Sequence, residues 1–453
     1  MRNTRTLTVW LCFALAVCLS LPVKIKGEAP AAGEDLKNLA QELTEQLHAG
    51  DLDATVQRLD PSIADQLPRE ALETVNAQVS MLAGDFERVT GVVRNDTPQG
   101  IIVDVYAQHT GRPVQLRFVF NEKALITGLW IQPVTPEAVA ALFPEADQGN
   151  GESPSGQEFP VTVGEYDLPG VITVPEGDLL PIAVVLVAGS GPNDRDGTVG
   201  RAGNKPLRDL AWGLAEKGIT TLRYDKRSMV RPDTLGEKPT IEAEVLDDVT
   251  TAIALISQHE KTRGYSLFVL GHSLGGMLAP AILKQNPALS GAVILAGTPR
   301  TLWDVIYDQN AAMIPALDQY SQQEKDALLS EIAGMRDLAN AVTQDGDGQL
   351  FNLPFRYIAS LNNLHLADLA RETTKPLLIL QGEKDAQVSA ETDYPAWQTL
   401  LKGHGNAEFK LYEGLNHLFM ESATGTLADY DQPGHVAQEA VKDVAAWLTA
   451  QMQ

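Results

Sequence analysis

The stretch Phe268–Pro280, FVLGHSLGGMLAP, decides how this chain is read. An apolar run, SLFVLG at 266–271, leads into Gly271-His272-Ser273-Leu274-Gly275, and a helix-forming segment begins near Gly275. The G-x-S-x-G spacing alone is unspecific, because glycine and serine are common residues. Its flanks give it weight. A strand-to-helix turn presents a serine hydroxyl at the carboxyl end of a sheet, and the two glycines remove side chains that would crowd the turn. The first turn of the following helix also favours negative charge. Ser273 is therefore the candidate nucleophile, and a Gly-Ser turn at a helix cap is the alternative.

Outward from this turn the chain alternates short apolar strands with helices. IAVVLVA (182–188), ITTLRY (219–224), SLFVLG (266–271), GAVILAG (291–297), PLLILQG (376–382) and EFKLYEG (408–414) are the strand candidates. Most lack polar alternation, as strands covered on both faces do. Helices over about 205–217, 241–259, 277–285, 391–401 and 435–450 fill the gaps, which gives a doubly wound α/β domain over 158–453. Residues 298–375 show helical runs and no strand, and a loop of that length is rare in a compact domain, so a helical cap inserted over one edge of the sheet is expected. Trp303, Tyr307, Tyr320, Phe351, Phe355 and Tyr357 within it could either wall a pocket or form the cap's own core.

The amino-terminal third reads differently. Leu36, Leu39, Ala40, Leu43 and Leu47 share one helical face, and Ala71, Leu72, Val75 and Val79 begin another. Alternation then takes over in VDVYAQ, VQLRFVF and LITGLWI, so 35–134 is expected to be a small α+β domain. The segment 145–157, EADQGNGESPSGQ, has the composition of a linker. At the start, MRNTR precedes a largely apolar run over 7–23 and then small residues. That is the layout of a secretory signal over 1–31, with Ala29-Pro30-Ala31 as the cleavage site, and an uncleaved anchor is the second choice. Both cysteines, Cys12 and Cys18, lie in that run, so the exported chain would hold no disulfide. Lipidation at Cys18 is a further alternative, disfavoured by Val17 and by the apolar residues that follow. The expected location is thus periplasmic or extracellular.

With 35 basic against 59 acidic residues the formal charge is −24, which repels phosphate backbones and argues against nucleic acid as a partner. No H-E-x-x-H or C-x-x-C occurs and the eight histidines are scattered, so neither metal nor cofactor is expected.

A serine nucleophile needs a general base. His417, in YEGLNHLFM, follows the last apolar strand, where a loop could return an imidazole over the sheet. His365 in the cap is its rival; His272 lies within the elbow, His48 and His109 belong to the amino-terminal domain, and His404 and His435 flank helices. Asp385 follows the strand PLLILQG and is the expected acid, with Glu383 and Asp393 as alternatives. The order Ser273, Asp385, His417 then matches one of the known chain orders for such a triad. For the oxyanion, the backbone N–H of Leu274 and that of Ser190, in the loop AGSGPNDRDG (188–197), are the expected donors. Asp194, Arg195, Asp196, Lys226 and Arg227 are read as a charged brace between two loops, with carboxylate binding as the alternative. No triad member precedes residue 150, so the amino-terminal domain is expected to have no catalytic part.

With GSGPNDRD at 189–196, RYDKR at 223–227 and the elbow in place, residues 160–450 resemble a bacterial serine esterase group of the α/β-hydrolase superfamily. Ala188 stands where many α/β-hydrolases carry histidine, and Ser228-Met229 where many carry glycine. Residues 35–134 resemble the small domain of unknown function, cystatin-like in type, that precedes such hydrolases. The resemblance implies an α/β-hydrolase sheet with a helical cap and a serine hydrolase that cleaves small carboxylic esters through an acyl-enzyme. A peptidase or thioesterase could use the same residues. A binding protein that retains the fold is the rival from another class, although such proteins usually lose a triad member.

Overall fold

The computed structural model describes residues 36–64, 67–97, 100–142, 156–200, 202–236, 239–317 and 320–452. The expected signal segment 1–31, with Cys12 and Cys18, and residues 145–155 of the expected linker lie outside the described residues.

The amino-terminal domain is a four-stranded antiparallel meander, β1 (Phe86–Thr97), β2 (Gly100–His109), β3 (Val114–Phe120) and β4 (Ile126–Pro133), in the order β1-β2-β3-β4. Helices Leu36–His48 and Arg69–Ala83 supply apolar stripes that join the sheet's inner face. Leu43, Leu47 and Leu72 share one core with Val103, Val105, Leu116 and Phe118. β1 is the strand the residue pattern did not announce, because register shifts near Phe86 and Val89 break its alternation.

The second sheet has eight strands: β5 (Gln157–Val163), β6 (Leu168–Val174), β7 (Ile182–Val187), β8 (Thr220–Tyr224), β9 (Ser266–His272), β10 (Leu289–Leu295), and, after a small hairpin of β11 (Gln349–Leu350) and β12 (Leu353–Pro354) in the cap, β13 (Leu377–Gly382) and β14 (Ala407–Tyr412). Their order is β14-β13-β10-β9-β7-β8-β6-β5. From β14 to β8 every pairing is parallel, whereas β6 runs antiparallel to β8 and to β5. Pro160 lies inside β5, which an edge strand tolerates because one side of it needs no ladder hydrogen bonds.

Period-two alternation divides the buried strands between two cores. Ala183, Val185 and Val187 face the layer formed by the 247–258 and 279–285 helices, while Ile182, Val184 and Leu186 face the 206–215 and 438–450 helices. The sheet is covered on both sides, which explains why every residue of β7 and β13 is buried.

The cap between β10 and β13 is built from helices Leu302–Met313, Gln322–Ala341, Phe355–Asn362 and Leu366–Glu372, together with the β11–β12 hairpin. The longest helix opens with a full capping box, Ser321 with Glu324. The strand order reverses around β7, so the loops at the carboxyl ends of β7 and β9 open one crevice beneath the cap.

Candidate active site

Ser273 sits at the end of β9 with φ 55° and ψ −118°, a conformation that costs a non-glycine residue about 1–3 kcal/mol. The surroundings impose it. The Ser273 N–H donates to the Leu295 carbonyl at 2.9 Å, and the Ser273 carbonyl accepts from Met277 at 2.9 Å, which starts the helix. The turn is too tight for side chains: a Cβ on Gly271 would stand 2.2 Å from the Gly275 oxygen, and one on Gly275 2.4 Å from the Val187 oxygen. A Cβ on Gly189 would lie 3.1 Å from the Ser273 Cβ, so the loop after β7 abuts the serine directly.

His417 is buried in the loop after β14. Asn416 shapes this loop by accepting the Leu418 and Met420 N–H groups on its Oδ1. The His417 Nδ1 lies 2.8 Å from Asp385 Oδ2. A carboxylate only accepts, so Nδ1 carries the proton and Nε2 keeps the lone pair a general base needs. Asp385 is itself held by four donors: Gln387 and Val388 N–H on Oδ1, at 2.8 and 2.9 Å, and Gln381 Nε2 on Oδ2, at 2.8 Å, beside His417.

The alternatives lie elsewhere. Glu383 is exposed and accepts the Gly414 N–H at 3.2 Å. Asp393 is buried against Arg300, which forks onto both of its oxygens. His365 is exposed at the start of a cap helix.

The loop after β7 is fixed through its carbonyls. Asn193 Nδ2 donates to the oxygens of Ser190 and Gly191 at 2.7 and 3.1 Å, and Lys226 Nζ donates to the Gly189 oxygen at 3.0 Å. In a trans peptide the C=O and N–H point in opposite directions, so drawing the Gly189 carbonyl toward Lys226 turns the Ser190 N–H away from it. Ser190, Ser273 and Leu274 all line one cleft, with Met277, Leu302, Val305, Ile306 and Val388 as its apolar lining and Thr298, Gln309 and Gln387 as further polar members.

The charged residues of 194–196 and 223–227 bind one another across the loops. Arg195 forks onto Asp225, Arg223 reaches Asp196 and Glu158, and Arg227 binds Asp248. Burial pushes the Asp225 carboxyl up to about 6, with Arg195 opposing the shift. Lys226 pairs with Glu244 at 2.9 Å, and Glu244 in turn accepts the Tyr357 hydroxyl of the cap at 2.7 Å. Burial works against ionising Glu244, but Lys226, with hydrogen bonds from Tyr357 and Ser228, holds the carboxyl below its ordinary range.

Two features escaped the residue pattern. His272 Nε2 meets the His417 carbonyl at 2.8 Å, and the two rings sit 4.7 Å apart. Desolvation, reinforced by His417, lowers His272 to about 3, so it is neutral and its Nε2–H is the donor. The cap aromatics pack into cores: Trp303, which stacks on Phe351 at 6.0 Å and donates to Asn362 at 2.7 Å, joins the core on one face of the large sheet, while Tyr307 and Tyr320 pack on Ile314, Leu328 and Ile332 within the cap. The cleft wall is aliphatic instead. Nothing local in the sequence marks either feature, since each depends on which helix face meets which loop.

Among the described residues no group of three or more His, Cys, Asp and Glu could hold a metal ion, and no helix is long and apolar enough to cross a membrane.

Residues 205–422 match the family model described as serine aminopeptidase, S33, and 40–129 match a protein family of unknown function, DUF3887. The esterase EstD of Thermotoga maritima is 30% identical over 387 residues, covering 84% of this chain and 88% of that protein. Among solved structures, the chain is similar to Est1E from Butyrivibrio proteoclasticus at 16% identity (65% of this chain, 99% of that chain, TM-score 0.41). It is also similar to the Pyrococcus furiosus esterase Pf2001 at 15% (68% and 96%, TM-score 0.41). Likeness at that level carries no inference about substrate. By its match to EstD along nearly the whole of both chains, joined to the S33 match and the hydrolase sheet, this chain belongs to the S33-type family of α/β-hydrolases.

Proposed function

We propose that this chain is an exported serine hydrolase that cleaves small, uncharged carboxylic esters through an acyl-enzyme. The observation that carries the reading is the 2.8 Å bond between His417 Nδ1 and Asp385, made at the same end of the sheet as the strained Ser273. In this reading Ser273 Oγ attacks the ester carbonyl while His417 Nε2 takes its proton. The tetrahedral oxyanion is held by the N–H groups of Ser190 and Leu274. When the carbon–oxygen bond breaks, His417 returns the proton to the leaving alcohol. Water, activated by the same imidazole, then releases the acid and restores the serine. Asp385 keeps the imidazole in one tautomer and stabilises it when it is protonated.

Peptide hydrolysis is the second reading, because the matching family model is described as a serine aminopeptidase and EstD is an esterase by name. An aminopeptidase must hold the ammonium group of its substrate, and a carboxylate near the nucleophile does this best. The described residues lining the cleft are apolar or neutral, which supports the ester.

A fluorophosphonate label mapped to a peptide tests the nucleophile, and parallel turnover of an ester series and of amino-acid anilides tests the substrate class. Label on Ser273 with ester turnover is expected; anilide turnover above ester turnover would favour the peptidase. Amino-terminal sequencing of the mature protein tests export, with a start near residue 32 expected.

A further inference from the structure

The hairpin turn between β2 and β3, residues 110–113, lands on Gly200 and Gly203 of the second domain. A Cβ on Gly111 would lie 2.3 Å from the Gly200 oxygen, and one on Gly203 2.9 Å from the Gly111 oxygen, so two backbones from different sheets touch here. Gly200 in turn abuts Tyr430, where a Cβ would fall 2.1 Å from the carbonyl oxygen.

Arg112, the next residue of the turn, is 7% exposed, and its Nε meets no hydrogen-bond partner among the described residues. A buried guanidinium is costly unless an anion compensates it. Burial pulls this one below its ordinary range, and Asp194 is the acid that opposes the shift. Asp194 is 5% exposed and accepts the N–H groups of Asp196 and Thr198, at 3.1 and 2.9 Å. It also directly follows Asn193, which gathers the carbonyls of Ser190 and Gly191.

We propose that the amino-terminal domain is a positioning element of the active site, its Gly111-Arg112 turn bearing on Gly200, Gly203 and Asp194 and thereby registering both the oxyanion loop and the acid loop. The inference rests on the proposed roles of Ser190 and Asp385. On one side, the buried Arg112 guanidinium is attracted by Asp194 without a direct hydrogen bond among the described residues, and Asp194 adjoins Asn193, whose Nδ2 holds the carbonyls of Ser190 and Gly191. On the other, Gly111 meets Gly200 and Gly203, and the adjoining Asn204 donates through Nδ2 to the Tyr430 and Gln432 carbonyls at 2.9 Å each. The Tyr430 hydroxyl accepts from Gln387 Nε2 at 2.8 Å, and the Gln387 N–H holds Asp385. Both branches end on groups that act most strongly in the transition state, so loosening the clamp should lower kcat more than it raises KM.

The test uses the full chain and a short-chain p-nitrophenyl ester, with turnover normalised to sites titrated by a fluorophosphonate so that unfolded protein does not count. Arg112→Ala is expected to lower kcat per titrated site roughly tenfold or more, because small misplacements near the reacting atoms are amplified, with KM within about twofold. Arg112→Lys should recover most of the loss. Arg112→Ala combined with Asp194→Asn should be no worse than the poorer single variant, as for two charges coupled to each other. If Arg112→Ala yields no folded protein, Arg112→Met, which keeps the stem, takes its place. Unchanged kcat per site, or losses that multiply in the double variant, would overturn the clamp. Ser273→Ala is run alongside: if it is inactive while the Arg112 variants are normal, only the clamp fails, whereas turnover in Ser273→Ala removes the serine mechanism and the clamp with it.

Discussion

His272 and His417, 145 positions apart, are joined by a single 2.8 Å contact from the ring Nε2 of the first to the backbone oxygen of the second. Because His272 directly precedes Ser273, this contact ties the loop of the proposed base to the turn of the proposed nucleophile. Neutral His272 supplies a donor, and a glutamine could supply one from a similar position. His272→Gln should therefore keep most of the turnover, while His272→Ala should lose roughly 10- to 100-fold in kcat as the base loop drifts. Steady-state kinetics on one ester check this.

The same histidine gives stability a pH dependence. Its folded value of about 3 lies below the roughly 6.5 of an unfolded histidine, so below pH 6.5 the unfolded chain binds the extra proton. His48, lowered to about 4 mainly by burial and secondarily by His109, acts in the same direction. Unfolding free energy from these groups is fully present above about pH 6.5 and declines as pH falls toward 4. Urea melts at several pH values should show the decline, with a shallower slope in His272→Gln.

The triad reading predicts unequal losses. Ser273→Ala and His417→Ala should each cost roughly 10⁶ in kcat, because the members act as one unit. Asp385→Asn should cost up to about 10⁴, since it disturbs the tautomer but leaves the base. Glu383→Gln should leave turnover near wild type, its carboxylate being exposed and bound to Gly414. Near-normal turnover in Asp385→Asn with collapse in Glu383→Gln would move the acid.

The elbow strain predicts a stability order among inactive variants. Alanine keeps the φ of 55° that a side chain resists, whereas glycine relieves about 1–3 kcal/mol of strain against roughly 0.5–1 kcal/mol of added backbone entropy loss. Ser273→Gly should thus unfold at higher denaturant than Ser273→Ala; a lower midpoint would show that the strain is absent.

Lys226 donates to the carbonyl of the peptide whose N–H is the proposed oxyanion donor. Lys226→Met should lower kcat by about 10²–10³, comparable to losing one oxyanion donor, while KM changes little. The variant also leaves Glu244 buried without its cation, so a loss of roughly 3–5 kcal/mol in stability should accompany it. Kinetics and urea melts separate the two effects.

In the cap, Ile306 lines the cleft whereas Trp303 is fully buried in the core between cap and sheet and is not among the cleft's lining residues. Ile306→Ala should shift the preferred acyl length upward. Trp303→Ala should cost roughly 3–5 kcal/mol of stability and lower turnover evenly across the ester series.

How much of this the residues announced follows from the range of the interactions. The buried parallel strands are legible because each is a local apolar run, and the positions of Ser273, Asp385 and His417, the proposed triad, because each follows a strand at the sheet's carboxyl edge. β1, β5 and β6 were not legible, since a bulge breaks the first pattern and Pro160 and Pro169 interrupt the other two. The tertiary structure alone decided that Lys226 binds the Gly189 carbonyl, that His272 anchors the His417 loop, that an aliphatic helix face walls the cleft, and that Gly111 of the β2–β3 turn meets Gly200 and Gly203. Periodicity reports which face of an element is buried; it carries no record of which distant element covers that face. These four contacts join residues far apart in the chain, so only the packed sheet, cap and hairpin bring them within reach.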